Sequence, residues 1–227
     1  MNQNKSIVAV VPVRKSSQRV KSKNTRPFAD TNILELKIKV LKQLPSIDDI
    51  IINTDCEVAT EIAKAHGVSC HVRDEFYASS IVTNDQHWKH IAETTPGDAI
   101  LMAQTTSPLV RLSTFKTSID AFLSPDNQHD SINSVSVEKK FLWLDGKPLN
   151  YDRSSTPKSQ DLPNIVSLNF AITLIDRELM ISRKNVVGEN PKFIELDQFE
   201  SVDLDEQIDF EFAEFLYRKL GNEWLMS

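Results

Sequence analysis

The chain has 227 residues, 40% of them hydrophobic and 26% charged, enough to bury one sizeable core and ordinary for a globular protein. Its formal net charge of −6 excludes a general binder of nucleic acid or acidic membrane, because either needs an extended basic surface. No apolar run reaches the ~18 residues of a membrane-spanning helix. The two cysteines, Cys56 and Cys70, lack metal-like or redox spacing, so a reduced, cytoplasmic setting is expected.

That average hides an asymmetry. The first 29 residues hold seven Lys/Arg and no Asp/Glu, which leaves 19 cations against 32 acids, a sum of −13, for the remainder. The apolar run Ile7–Val13 reads as a buried strand, and Pro12 and Arg14 make it a poor leader peptide. It empties into a loop holding Arg14, Lys15, Arg19, Lys21, Lys23 and Arg26. A cationic loop at the carboxyl end of a first strand is where an α/β sheet seats a polyphosphate. All five glycines lie elsewhere, which excludes a Walker-type loop and a G-x-G-x-x-G turn at this place. Phosphate oxygens would instead meet Arg14, Arg19 and Lys23, with Ser16, Ser17 and Asn24 as neutral donors. A merely solvated basic loop is the alternative.

Further strands are expected at Ile50–Thr54, Ala99–Ala103 and Ile132–Val137. Between them the stripe Leu34, Ile38, Leu41 and Leu44, then Glu57–His66 ending at Gly67, Asn84–Thr95, and Ser113–Leu123 with Ser113 as N-cap, read as helices. Asp55 is expected to cap the second of these. His87 and His90 share a helical face that reads as exposed and polar, with no third ligand in view. The alternation predicts a doubly wound, mostly parallel α/β sheet in a single domain spanning residues 1–227.

The rhythm breaks after Val137. Glu138–Asn164 is polar and turn-rich, and Ile165–Ile175 resumes as a β-rich run, so Glu138–Thr173 reads as a partly extended arm or a long connection. The chain closes with an amphipathic helix whose stripe is Ile208, Phe212, Phe215, Leu216 and Leu220.

Two polar constellations remain. Gln104-Thr105-Thr106-Ser107-Pro108-Leu109 follows the strand Ala99–Ala103, where substrate hydroxyls would be read, or it is a Ser-Pro turn. Asp203-Leu204-Asp205 puts two carboxylates on one side of an extended segment, about 6–7 Å apart, a spacing that suits a shared Mg²⁺ bridging to phosphates. On these residues alone, Asp203 followed by Glu206 reads first as a helix-capping arrangement that needs no metal, and a polyphosphate seat elsewhere in the chain turns the reading toward the metal platform.

In this order the motifs resemble those of the acylneuraminate cytidylyltransferases, the CMP-sialic acid synthetases. Val11 to Asn24 resembles the family's I-P-A-R-x-x-S-K-x-x-x-x-K-N, and Asn53-Thr54-Asp55 its S-T-D. Gln104–Leu109 is similar to Q-x-T-S-P-L, Gln160-Asp161-Leu162-Pro163 to Q-D-L-P, and Val202–Asp209 to I-D-I-D-T-x-x-D. The resemblance implies a nucleotide-diphospho-sugar transferase-like fold and a cytidylyltransferase that joins CMP from CTP to a sialic-acid-like nonulosonic acid. Arg14, Ser17, Arg19, Lys23, Asn24 and Arg73 would hold the nucleotide, and Arg14, Lys23, Asp203 and Asp205 would act in catalysis. Mg²⁺ would sit on Asp203 and Asp205, while Gln104, Ser107, Gln160 and Asn169 would meet the sugar acid. A homodimer is implied, with the arm 138–173 crossing to the partner.

The departures are Gln18 for a phosphate-binding lysine, Ser80 for an aspartate, Ser159 for an arginine, and Asn169-Phe170-Ala171 for N-G-A. Most fall near the sugar pocket. A 3-deoxy-manno-octulosonate synthetase, or a silent binding protein on the same scaffold, is the alternative.

Overall fold

The computed structural model describes residues 5–15 and 19–227. In chain order the elements are β1 (Ile7–Val13), α1 (Ile33–Leu41), β2 (Asp49–Thr54), α2 (Glu57–Ala65), β3 (Ser69–Val72), α3 (Glu75–Ala78), α4 (Asn84–Thr94), β4 (Ala99–Ala103) and α5 (Leu112–Leu123). There follow β5 (Ser131–Glu138), the ribbon β6 (Trp143–Leu144) and β7 (Lys147–Pro148), β8 (Ile165–Asp176), α6 (Arg177–Arg183), β9 (Pro191–Glu195) and α7 (Gln207–Leu225). Seven strands form one sheet in the order β3-β2-β1-β4-β8-β5-β9. Only β8 runs against its neighbours β4 and β5, so the sheet is mostly parallel, as expected.

The continuous apolar runs follow from burial on both faces. Ile7, Ala9, Val11 and Val13 point into a larger core with α1, α2, α5 and α7. Val8 and Val10 point the other way, into a smaller core with α4 and α6. Each of these valine and isoleucine side chains contributes roughly 1.5–3 kcal/mol when fully buried. The doubly wound arrangement leaves the carboxyl ends of β1, β2 and β4 at one edge, and the site lies along it. Among the described residues no helix is long and apolar enough to cross a membrane.

The segment 138–173 carries the small ribbon, turned by Asp145 and Gly146 at φ 49° and 75°, and a 3-10 turn at Ser159–Asp161. It then runs into β8, whose half from Ile172 to Asp176 pairs with β4.

Four local expectations change. α5 starts at Leu112 with Arg111 as N-cap, so Ser113 is already inside the helix. Cys56 caps α2 without a side-chain bond, and Asp55 instead accepts from the Lys15 backbone N–H at 2.8 Å. The capping box of α7 is made by Glu206 and Asp209, which releases Asp203 from that duty. On α7, Phe210, Ala213, Leu216 and Tyr217 face inward, while Ile208, Phe212 and Phe215 are exposed. The helix carries two apolar stripes that meet at Leu216. Phe28 selects the inner one, meeting Phe210 edge-on at 5.4 Å and Tyr217 at 5.6 Å.

One buried charge-bearing group stands out. Lys37 of α1 is 2% exposed, donates to the Ser107 carbonyl at 2.9 Å and lies 5.0 Å from the Phe115 ring centroid. Burial pulls its pKa from 10.5 down to about 7, against the opposing pull of Glu200. Between those two values the unfolded chain holds a proton that the folded chain has released. Stability due to this group therefore rises with pH from about 7 to 10.5 and is flat below. Urea midpoints of wild type and Lys37→Met at pH 7, 8.5 and 10 should show the wild type gaining on the variant as pH rises. A pH-independent difference would contradict the assignment.

Candidate active site

The loop after β1 is shaped by its own backbone bonds and anchored at both ends. Lys23 N–H donates to the Val20 carbonyl, and Thr25 and Arg26 donate to that of Ser22. Val20 and Phe28 are buried, and the Arg26 guanidinium covers the Phe210 ring at 4.5 Å. Asn24 is buried too, accepting at Oδ1 from the Thr105 hydroxyl at 2.8 Å, while its carbonyl takes the Leu34 N–H. The loop is thus fastened to the end of β4 on one side and to α7 on the other.

The segment before α7 docks onto the same place. The Leu204 N–H donates to the Thr106 carbonyl at 2.8 Å, and the Lys23 ammonium donates to the Leu204 carbonyl. Leu204 is buried, which leaves Asp203 and Asp205 outward. Arg19 bridges Asp205 at 2.6 Å and Glu206 at 3.5 Å. A cavity of about 250 Å³ results, lined by Arg14, Arg19, Lys23, Asn24, Gln104 and Asp205, among others. The cationic turn and Asp205 therefore flank one cleft, and Asp203 stands on the other side of the buried Leu204.

Burial pushes the Lys23 amine below its ordinary value, although Asp203 and Asp205 pull it back up. Asp203 is open to solvent as a residue, yet protein crowds its carboxyl enough for desolvation to raise its pKa. The Asp205 charge adds to that rise, and Thr106 and Lys23 oppose it. Two neighbouring carboxylates, one disfavoured as an anion, form a site that a cation would relieve.

A second chamber of about 210 Å³ continues from Arg14 and Gln104 to Arg73, Tyr77, Asn84 and His87. Arg73, 5% exposed, donates to the Val13 carbonyl at 2.8 Å and faces Asp55 at 3.9 Å, so it knits β1 to β2. Its guanidinium lies 3.4 Å from His87 Nδ1. Burial first, then the Arg73 charge, hold the His87 pKa down to about 4, so the imidazole is neutral at neutral pH. A third chamber of about 220 Å³ adds Trp88, Met102, Phe170, Thr173 and Val186. Gln104 lines all three, making one cleft along the carboxyl edge of the sheet.

The family model described as Cytidylyltransferase matches residues 8–219. The chain belongs to the cytidylyltransferase family. It is therefore a nucleotidyltransferase. It is 26% identical to an N-acylneuraminate cytidylyltransferase of Escherichia coli over 96% of this chain and 53% of that protein, so it spans about half the length of that relative. It is 25% identical to a CMP-N,N'-diacetyllegionaminic acid synthase of Legionella pneumophila, over 92% of this chain and 95% of that one. A solved CMP:2-keto-3-deoxy-manno-octonic acid synthetase complexed with CTP shares the fold, with a TM-score of 0.68 at 12% identity, covering 94% of this chain and 99% of that one.

In this cytidylyltransferase the structure gathers Arg14, Arg19, Lys23, Asn24, Arg73, Gln104 and Asp205 along the cleft, while Asp203 lines none of the three chambers and reaches the site through Thr106 and the Lys23 charge. Ser17 lies outside the described residues. Ser107 is buried behind the loop, with its carbonyl on Lys37. Gln160 is exposed on the arm. Asn169 is engaged with Ser134, Ser136 and the Ala171 N–H, and neither it nor Gln160 lines the three chambers. Sequence reasoning did not place Tyr77, Asn84, Trp88 or Thr173 in the site, read His87 as an exposed helix face, and met Phe170 only as a departure near the sugar pocket. For His87 a signal exists: the capping box of Thr83 and Gln86 fixes where α4 starts, and the first turn of a helix at this edge looks into the cleft.

Proposed function

We propose that this cytidylyltransferase transfers CMP from CTP to the anomeric hydroxyl of a sialic-acid-like nonulosonic acid and releases pyrophosphate. The observation that carries the reading is the single cleft in which Arg14, Arg19, Lys23 and Asn24 meet Asp205 and Gln104. A bond forms between the anomeric oxygen and the α-phosphorus, and the bond from that phosphorus to the bridging oxygen of pyrophosphate breaks. The hydroxyl proton passes to solvent. Such transfers rest on positioning and charge stabilisation. Arg14, Arg19 and Lys23 neutralise charge growing on the departing pyrophosphate, and Arg73, with the chamber beside it, holds the rest of the nucleotide.

Asp203 and Asp205 fit Mg²⁺. Among the described residues no group of three or more His, Cys, Asp or Glu makes an all-protein cage. Two carboxylates beside a phosphate seat are the donor set this ion uses, the remaining ligands being phosphate oxygens and water. When bound, it would add positive charge at the phosphates and acidify a coordinated hydroxyl or water. The arm 138–173, which exposes Phe141, Trp143, Leu144 and Leu149, is proposed as the homodimer contact.

The test is pyrophosphate release with CTP and Mg²⁺ across nine- and eight-carbon ulosonic acids. Release with nine-carbon N-acylated acids supports the reading. Release with 3-deoxy-manno-octulosonate alone would reassign the substrate. CTP binding by calorimetry without release from any acid would mark a silent binding protein.

A further inference from the structure

The third chamber has features the transfer reaction does not require. Its floor is Met102, Val186 and Thr173, each 2% exposed or less, and its walls are the Trp88 and Phe170 rings, 6.2 Å apart. Asn84, His87 and Gln104 stand with them around the chamber. The apolar part of the chamber is thus Trp88, Met102, Phe170 and Val186, and beside it Thr173 Oγ1 is buried and has no hydrogen-bond partner among the described residues. A buried hydroxyl left this way is costly, and such groups in folded proteins are few and point to a missing partner.

Phe170 is held in an unusual conformation. It has φ 55° within an irregularity where Asn133 pairs with Thr173 but Val135 pairs with Leu168. The left-handed region is disfavoured for an L-residue with a bulky side chain. The conformation persists because Asn169 is fastened to Ser134, Ser136 and the Ala171 N–H, and the Ile172 N–H donates to the Ser134 hydroxyl at 2.9 Å. Glycine would suit this backbone without strain, and glycine stands here in the N-G-A motif that Asn169-Phe170-Ala171 resembles. The strained backbone sets a large ring against Trp88 at the chamber.

We infer that Phe170 and Trp88, with Thr173, form a specificity subsite that accepts a methyl-terminated substituent of the sugar acid carrying one hydrogen-bonding group beside the methyl. Two parts of such a sugar present that chemistry: a short N-acyl group, and a deoxy terminus in which a methyl follows a single carbinol. The methyl lies among Trp88, Phe170, Met102 and Val186, and the adjacent N–H or O–H is met by Thr173 Oγ1. A terminal hydroxymethyl group would set a second hydroxyl against the Trp88 and Phe170 rings at a desolvation cost, so a fully hydroxylated chain is disfavoured there. The inference rests on the proposed transfer to a sugar acid and names the feature of that acid which is read.

The experiment compares kcat/KM for two matched pairs of acids in the pyrophosphate assay. One pair differs only in a terminal methyl against hydroxymethyl, the other only in N-acetylamino against hydroxyl. Wild type should prefer the methyl-bearing member of at least one pair by about 10-fold or more, the scale set by one small group in an apolar pocket. The pair that shows the preference identifies which end of the sugar enters. Phe170→Gly should bring that ratio toward one, and Thr173→Val should lower kcat/KM for the preferred member by up to about 10-fold, the loss of one hydrogen bond. Thermal unfolding confirms that both variants are folded. Equal rates within both pairs, or an unchanged ratio in Phe170→Gly, overturn the subsite while leaving the transfer reaction standing. No release from any acid overturns both.

Discussion

Asp203→Asn is expected to lower CTP-dependent pyrophosphate release by about 100-fold or more, the scale of losing one preorganised electrostatic contact at a reacting centre. The amide keeps the size and the hydrogen-bonding reach of the carboxylate but not its charge. The fold should not suffer. Desolvation and the Asp205 charge already disfavour the Asp203 anion, so removing that charge takes away a repulsion rather than a support. Thermal unfolding of the variant should match or exceed wild type, which separates a catalytic loss from a structural one. Raising Mg²⁺ should recover part of the rate if weakened metal affinity is the cause. Turnover equal to wild type in an intact variant would reject the metal assignment.

Lys23→Ala is expected to raise the KM for CTP by about 10- to 100-fold, since a charge-assisted hydrogen bond to phosphate is worth about 1.5–3 kcal/mol. Two effects point the same way. The ammonium is lost from the phosphate seat, and its bond to the Leu204 carbonyl no longer draws the aspartate segment toward the loop. Asp203 and Asp205 then lose a cation that pulled against their repulsion. Lys23→Arg should recover part of the affinity, because charge survives while geometry changes. CTP titrations of Lys23→Ala that overlay those of wild type would remove this loop from the nucleotide site.

The legible strands were those buried on both faces. Ile7–Val13 and Ala99–Ala103 are continuous apolar runs because each meets helices above and below. The edge strands β3 and β9 escaped notice for the opposite reason: most of their residues face solvent and carry no pattern. That β8 runs antiparallel between β4 and β5 depends on where the chain returns from the arm, which local sequence does not encode. In the site, the basic loop and the aspartate pair announced themselves because each concentrates charge within a short stretch. The neighbouring chambers did not. Arg73, His87, Phe170 and Thr173 come from separate elements and meet only through tertiary packing. His87 read as an exposed helix face, whereas Arg73 and the end of β4 cover it.

Arg19 and Asp205 touch across 186 positions of chain, and Lys23 reaches Leu204 over 181. The first loop and the segment leading into the last helix are therefore stitched together at the very spot where a triphosphate with its cation would lie. Such a ligand would offer every one of these groups a new companion at once, exchanging a direct suture for a bridged one. Nucleotide would then serve as a clasp between the beginning and the end of the polypeptide as well as the material it consumes.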